Sequence, residues 1–302
     1  MKKLLSAERF DTVRRWIYRN ARPLDLARFR FHFEGGSANE ALYALAAYQN
    51  PDGGFAHGLE ADCLSPVSSP MQTWCATHIL KELGVLVPDG RMIPAMLNYL
   101  ASGQDYANGR FAAVVPANNE HPHAPWWSYV ENEPPVWEYN PTASLAGFLL
   151  CFAQPGSDAR SIGERSAKLL FSQYMEQPLM ESMHDCACLI ELYNYCRLAG
   201  CVAIDTAALM EKLHRQVSHC ITKDTSAWVG GYVCRPSFFI RSNDSVFYPA
   251  HAELAEYEAD FIIDSLSGGL WDVTWDWGGA YPDAWPVARN WWRADSAINN
   301  LL

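Results

Sequence analysis

The sequence has little charge and places it unevenly. Only 19% of its 302 residues are charged, against 49% hydrophobic, so a disordered or charge-solvated chain is excluded. Residues 111–159 and 242–288 contain no Lys or Arg, and the net charge is -11. Nucleic-acid binding requires a basic footprint, so no nucleic-acid partner is expected. The basic residues gather instead in the first 30 positions: nine Lys or Arg stand there against Glu8, Asp11 and Asp25. That face reads as solvated, with some capacity to attract an anion. No apolar run reaches the roughly 18 residues of a membrane span, and Met1–Phe10 lacks the apolar core of a secretory leader. Nine cysteines is an odd count, and most lie in apolar helical runs (Cys75, Cys151, Cys186, Cys188, Cys196, Cys220). Buried thiols in a reducing cytoplasm fit this better than a disulfide framework.

Convincing strands are also lacking, and the periodic segments read as helices. Ser37-Ala-Asn-Glu40 has the pattern of a capping box, and Ser69-Pro-Met-Gln72 places a cap before a first-turn proline. Asn140-Pro141 repeats that start before the apolar run Leu145–Phe152. Further helices are expected near 7–19, 91–102, 160–175, 181–198, 205–220, 249–265 and 284–301. This makes about ten helices, with long loops at 103–139 and 221–248. Both loops are rich in Trp, Tyr, Pro and acid, so they are expected to be functional rather than linkers. With no shift of composition, one domain over 1–302 is expected: a basic helix and lead-in at 1–36, then a repeat-containing region at 37–301.

The repeat has a period of roughly 45–60 residues, the mark of stacked supersecondary units. Gln49-Asn-Pro-Asp-Gly53-Gly54-Phe55 is its clearest copy. Gln104 to Phe111 is one residue longer, Ser265 to Trp271 replaces Gln with Ser, and Thr225 to Tyr232 is fainter. In each, a helix ends, glycine supplies a positive-φ turn, and an aromatic folds back on neighbouring helices. The Gln is expected to bond carbonyls left open at the helix end.

These units resemble the Gln-x-x-x-Gly-x-aromatic motif of the terpenoid cyclase and protein prenyltransferase toroids. The chain is also similar to uncharacterised bacterial single-toroid proteins, through residues 48–55, 68–74 and 290–292. The resemblance implies an all-α fold, an (α/α) toroid of about five to six hairpins with two concentric helix layers and a central cavity. It carries no catalytic motif with it. Neither Asp-x-Asp-Asp nor Asp-Asp-x-x-Asp occurs, and Asp62-Cys63 and His184-Asp185-Cys186-Ala-Cys188 do not have the spacing of the prenyltransferase zinc ligands. The basic cluster that would hold a diphosphate is missing from the acidic loops.

Three groups could converge on such a cavity. The first is His57, Glu60 and Asp62 with Gln72 and Trp74. The second is Trp126 to Tyr139, including Trp127, Glu131, Glu133, Trp137 and Glu138. The third is Trp271, Asp272, Trp275, Asp276 and Trp277, with Trp292 and Asp295 sharing a face of the last helix. Indole faces beside carboxylates suit sugars, where a carboxylate pair about 5–10 Å apart acts as acid and base. They also suit carbocations. Glycoside chemistry needs only the carboxylates, while isoprenoid chemistry needs a trigger that is missing. Hence a small-molecule substrate, carbohydrate before isoprenoid, is expected, with Asp272, Asp276, Glu60 and Asp62 as acid/base candidates. Trp74, Gln72, Trp127, Trp137, Glu138, His184, Trp275, Trp292 and Asp295 are the binding candidates. A non-catalytic ligand- or peptide-binding protein is the competing class.

Plainer accounts stand beside these. The six Trp between 271 and 292 could simply fill space. Glu131 and Glu133 read as solvated charges, and His121 and His123 as an exposed, mobile loop. His184 and Cys188 could share a metal through i, i+4 spacing, but buried helical Cys is common, so neither metal nor cofactor is assigned. Oligomeric state is left open.

Overall fold

A computed structural model describes residues 3–86 and 90–302; Met1 and Lys2 of the basic start lie outside the described residues. The described residues form eleven α-helices and one pair of two-residue strands. They fall into two compact units: 1–45 with 221–302, and 46–220.

The first unit joins the two ends of the chain. Helices α1 (Ala7–Asn20), α2 (Pro23–Phe33) and α11 (Trp285–Leu301) pack on one another. With α10 (Tyr248–Ser265) and the turn after it, they enclose Val13, Ile17, Phe29, Leu266, Leu270, Trp271, Ala297 and Ile298. Ser6 caps α1 by accepting the Arg9 N–H. Helix α2 was not expected from the sequence. Its buried face carries Asp25 and Arg28 beside Leu24, Ala27 and Phe29, so charge breaks the apolar stripe.

The basic start is not merely a solvated face. Arg22 Nε lies 2.7 Å from Asp25, and buried Arg28 reaches Asp25 at 3.1 Å and Asp295 at 2.7 Å. Arg30 pairs with Glu40, and Arg9 donates to the carbonyls of Ile263 and Leu266 at the end of α10. These positive groups satisfy carboxylates and a helix C-terminus within the unit. Helix α3 (Ala38–Ala46) ends the segment. Ser37 caps it by accepting the Glu40 N–H, while Glu40 turns to Arg30, so only half of the expected capping box forms.

The second unit is two rows of helices. One row is α4 (Pro70–Glu82), α6 (Thr142–Phe152) and α8 (Met183–Leu198); the other is α5 (Met92–Ala101), α7 (Asp158–Glu176) and α9 (Thr206–Cys220). Within each row every helix packs on the next, and α6 also touches α5 and α7. Thr142 through Leu150 are all buried, which makes α6 the centre. Ser69, Ser157 and Ser182 cap α4, α7 and α8. Helix α6 lacks a side-chain cap of its own: Asp185 of α8 accepts the N–H groups of Tyr139 and Asn140 instead.

The repeats explain how the rows are joined. Gly53 has φ +95°, and a methyl placed there would lie 2.1 Å from the Ala95 carbonyl oxygen of α5. Gln49 does not close its own helix as expected; Nε2 donates to Gly53 O (3.0 Å) and to Met92 O at the start of α5 (3.2 Å). The second copy folds as a small hairpin, β1 (Tyr106–Ala107) and β2 (Arg110–Phe111), around Asn108-Gly109. A methyl at Gly109 would lie 2.5 Å from Leu169 Cδ2 of α7. The aromatics behave alike too: buried Phe55 donates its N–H to Thr73 Oγ1 (3.1 Å), and buried Phe111 donates to Thr142 Oγ1 (3.0 Å). Each turn thus holds the helix after the next one while its backbone bonds to the helix that follows.

Candidate functional site

Residues from the first two predicted groups meet in the second unit. The segment after the Gly53 turn bends through His57 (φ 62°) and pairs with the loop before residue 127. Leu64 N–H donates to Pro122 O (2.9 Å), and Ala124 N–H donates to Asp62 O (2.8 Å). Gln72 stitches this bend to α4: its Oε1 accepts the Glu60 N–H (2.7 Å), and its Nε2 donates to Cys63 O (2.7 Å). Glu60 and Asp62 are buried, and Glu60 Oε2 accepts the Asp62 N–H at 2.9 Å. Facing them is Trp127, whose ring stacks on Trp137 with centroids 4.9 Å apart and planes 17° from parallel.

Glu60, Gln72, Asn118 and Trp127 line a crevice of about 10 Å³ together with Cys63, Ser69, Met71 and Ala113. Asn118 Nδ2 donates to Trp127 O and fixes the indole's backbone. The indole Nε1 is buried and meets no acceptor among the described residues. Buried donors are nearly always satisfied, and leaving one bare costs about 1–3 kcal/mol. The crevice therefore offers an unmet indole donor beside the Glu60 carboxylate.

The loop around it differs from the mobile segment expected. His123 is buried, with Nδ1 2.7 Å from His121 O and Nε2 3.1 Å from Ser128 Oγ. Glu131, Glu133 and Glu138 are exposed; Glu138 belongs to the solvent-facing end of the loop.

A second cluster, around Glu191 of α8, was not expected. Its Oε2 accepts from Ser144 Oγ of α6 (2.6 Å) and from Trp74 Nε1 of α4 (3.2 Å). His78 Nε2 lies 3.0 Å from Oε2, and Lys81 Nζ lies 3.7 Å from Oε1. Burial pushes the Glu191 carboxyl up, but His78, Lys81 and the Ser144 hydroxyl outweigh it and hold it at about 2. Trp74, a predicted platform, thus serves as a donor to this carboxylate and meets the His78 ring edge-on at 4.4 Å. The signal for Glu191 was an acid inside the apolar run Leu189-Ile190-Glu191-Leu192.

The third group lies in the first unit and does not offer the expected acid and base. Asp272 is an exposed carboxylate held in a double fork by Arg289 and Arg293. Partial burial pushes its carboxyl up, and the two guanidinium groups more than offset this to leave it below its ordinary range. Such a group stays ionised and does not donate a proton. Asp276 is also exposed and accepts the Gly278 N–H at 2.6 Å, a turn role. Asp295 accepts from Arg28 and Asn299. Trp275 meets Trp292 edge-on at 5.4 Å, while Trp271 and Trp277 are buried as core.

His184 is half-buried on α8, and burial lowers its pKa against the pull of Asp185. Burial raises the Cys188 thiol well above its ordinary value, and Sγ lies 3.4 Å from Asn140 Oδ1. Among the described residues no three His, Cys, Asp or Glu side chains gather to hold a metal. No described helix is long and apolar enough to cross a membrane. Compared with protein-family models, with curated proteins and with solved structures, the chain shows no match.

Proposed function

We propose that this chain is an α/α-toroid protein of the terpenoid cyclase-like kind that recognises a small, uncharged, hydroxyl-bearing ligand, carbohydrate in character. The observation that carries this reading is the buried Trp127 indole N–H without an acceptor, on the wall of a crevice shared with Glu60 and Gln72. An alcohol hydroxyl suits both partners: it accepts from the indole and donates to the carboxylate. At about 10 Å³ the crevice has room for a single water-sized group such as one hydroxyl, far below the roughly 300–1,000 Å³ of a pocket that encloses a whole small molecule. The two rows of helices tied by Gly53 and Gly109 support the toroid.

Recognition ranks above glycoside cleavage because Asp272 and Asp276 are occupied by arginines and a turn N–H. Isoprenoid diphosphate chemistry ranks lower still. Arg28 and Arg30, the cations best placed in sequence to clamp a diphosphate, are both paired with carboxylates. Placement in the cytoplasm is part of the same proposal.

Thermal unfolding with maltotriose, cellotriose and geranyl diphosphate tests the reading. A neutral sugar is expected to raise Tm by a few degrees, as a ligand that binds only the folded state must. Trp127→Phe should keep the fold and lose that rise. Stabilisation by the diphosphate and by neither sugar would reverse the ordering.

A further inference from the structure

We propose that Cys186 and Cys220 are a dithiol that hydrogen peroxide closes to a reversible disulfide, tying the end of α9 to the first turn of α8. Cys220 is the last residue of α9, Cys186 stands in the first turn of α8, and the two helices pack together. Both are free thiols. They meet at Ser182, whose carbonyl accepts the Cys186 N–H at 3.2 Å and lies 4.0 Å from Cys220 Sγ. The Cys186 thiol donates to Cys220 Sγ, and Gln216 Nε2 donates to the same sulfur at 3.1 Å. Cys220 in turn donates to Met180 O at 3.5 Å. A disulfide requires two cysteine side chains that face one another, and a thiol–thiol hydrogen bond already meets that condition.

The surroundings decide which sulfur attacks. Cys220 is 8% exposed and Cys186 is fully covered, so a small oxidant meets Cys220 first. The hydrogen bond from Cys186, with those from Gln216 and the charge of His219, pulls the Cys220 thiol down. Burial and Glu181 push it up, and the balance leaves it at about 7 against the ordinary 9.0. Tyr174 of α7 faces both sulfurs; burial first, then the two thiols, push its phenol up, so it stays neutral beside them. A part-exposed, readily ionised sulfur beside a second thiol is the arrangement of a redox-responsive pair. The Cys220 thiolate attacks one peroxide oxygen, the O–O bond breaks, and hydroxide leaves and becomes water. Cys186 sulfur, losing its proton, then attacks the Cys220 sulfenic acid, and the S–O bond breaks to release a second water. Two thiols lose two electrons in all, and one peroxide becomes two waters. In a reducing compartment a dithiol reductant reopens the bond by exchange.

The test treats the fully reduced chain with hydrogen peroxide at neutral pH, blocks remaining thiols with iodoacetamide and maps peptides by mass spectrometry. Wild type should yield a peptide joined through Cys186 and Cys220 that dithiothreitol separates. Cys188, buried on the same helix with its thiol raised well above the ordinary value, should oxidise at least about tenfold more slowly. Cys186→Ala, with its fold checked by circular dichroism, should stop at a Cys220 sulfenic acid that dimedone captures. The same variant should move the pH midpoint of Cys220 alkylation upward from about 7, because the hydrogen bond that most favours the thiolate is gone. A merely structural Cys186 would not move that midpoint. Three results would each overturn the proposal without any variant: no joined peptide, a joined peptide that forms as readily in urea-unfolded chain, or Cys188 oxidised as fast as Cys220. An unmoved midpoint in folded Cys186→Ala would overturn it as well.

Discussion

Glu191 shows how a carboxylate is kept ionised inside a helical unit. Burial works against the charge, and it is met by a hydroxyl, an indole N–H and two basic side chains from neighbouring turns. The folded value of about 2 lies below the ordinary 4.5, so the stabilisation is complete above that value and disappears as pH falls towards 2. The displacement corresponds to about 3 kcal/mol at neutral pH. Acid titration of urea stability should show wild type losing this amount over that window. Glu191→Gln should be weaker at pH 7 and should not share that decline. Asp272 makes the opposite point. Its double arginine fork is at the surface, where water screens the pair, so Asp272→Asn is expected to cost less than about 1 kcal/mol by the same measurement.

At the scale of the element, the glycine turns join each helix to the one two places on. Gly53→Ala must both hold a positive φ and push back the α5 backbone, which has no soft side chain to yield. A loss above about 3 kcal/mol in urea unfolding is expected. Gly109→Ala meets only the end of Leu169 and should cost less, while Gly156→Ala, with open space around it, should cost about 1 kcal/mol for the backbone alone. Thr73→Val and Thr142→Val each leave a buried aromatic N–H without its acceptor, so both should lose about 1–3 kcal/mol and by similar amounts. These units were legible in the sequence because glycine and aromatic spacing is local chemistry. Helix α2 was not, since Asp25 and Arg28 occupy the positions where apolar residues would have marked the buried face. Glu60, Gln72 and Trp127 were legible as candidates, but their meeting depends on the pairing of residues 62–64 with 122–124. His78, Ser144 and Glu191 escaped notice because three separate helices supply them, and no spacing in one helix reveals the others.

At the scale of the whole molecule, the first unit is built from both ends of the chain. Val13 and Ile17 of α1 share a core with Trp271 and Ile298, and Arg9 covers the last carbonyls of α10. Deleting residues 3–20 should uncover that core and cost more than about 5 kcal/mol, judged from the two buried aliphatic side chains alone. Loss of near-ultraviolet ellipticity with new dye binding would register it; an unchanged spectrum would show that α1 is dispensable. The second unit carries the recognition claim, and that claim comes down to one proton. In a ¹H–¹⁵N spectrum, the indole resonance assigned through Trp127→Phe should move downfield as maltotriose or cellotriose is added, because the bare N–H gains an acceptor. If a saturating sugar shifts other resonances and leaves that one where it stood, the crevice is not where the ligand is held.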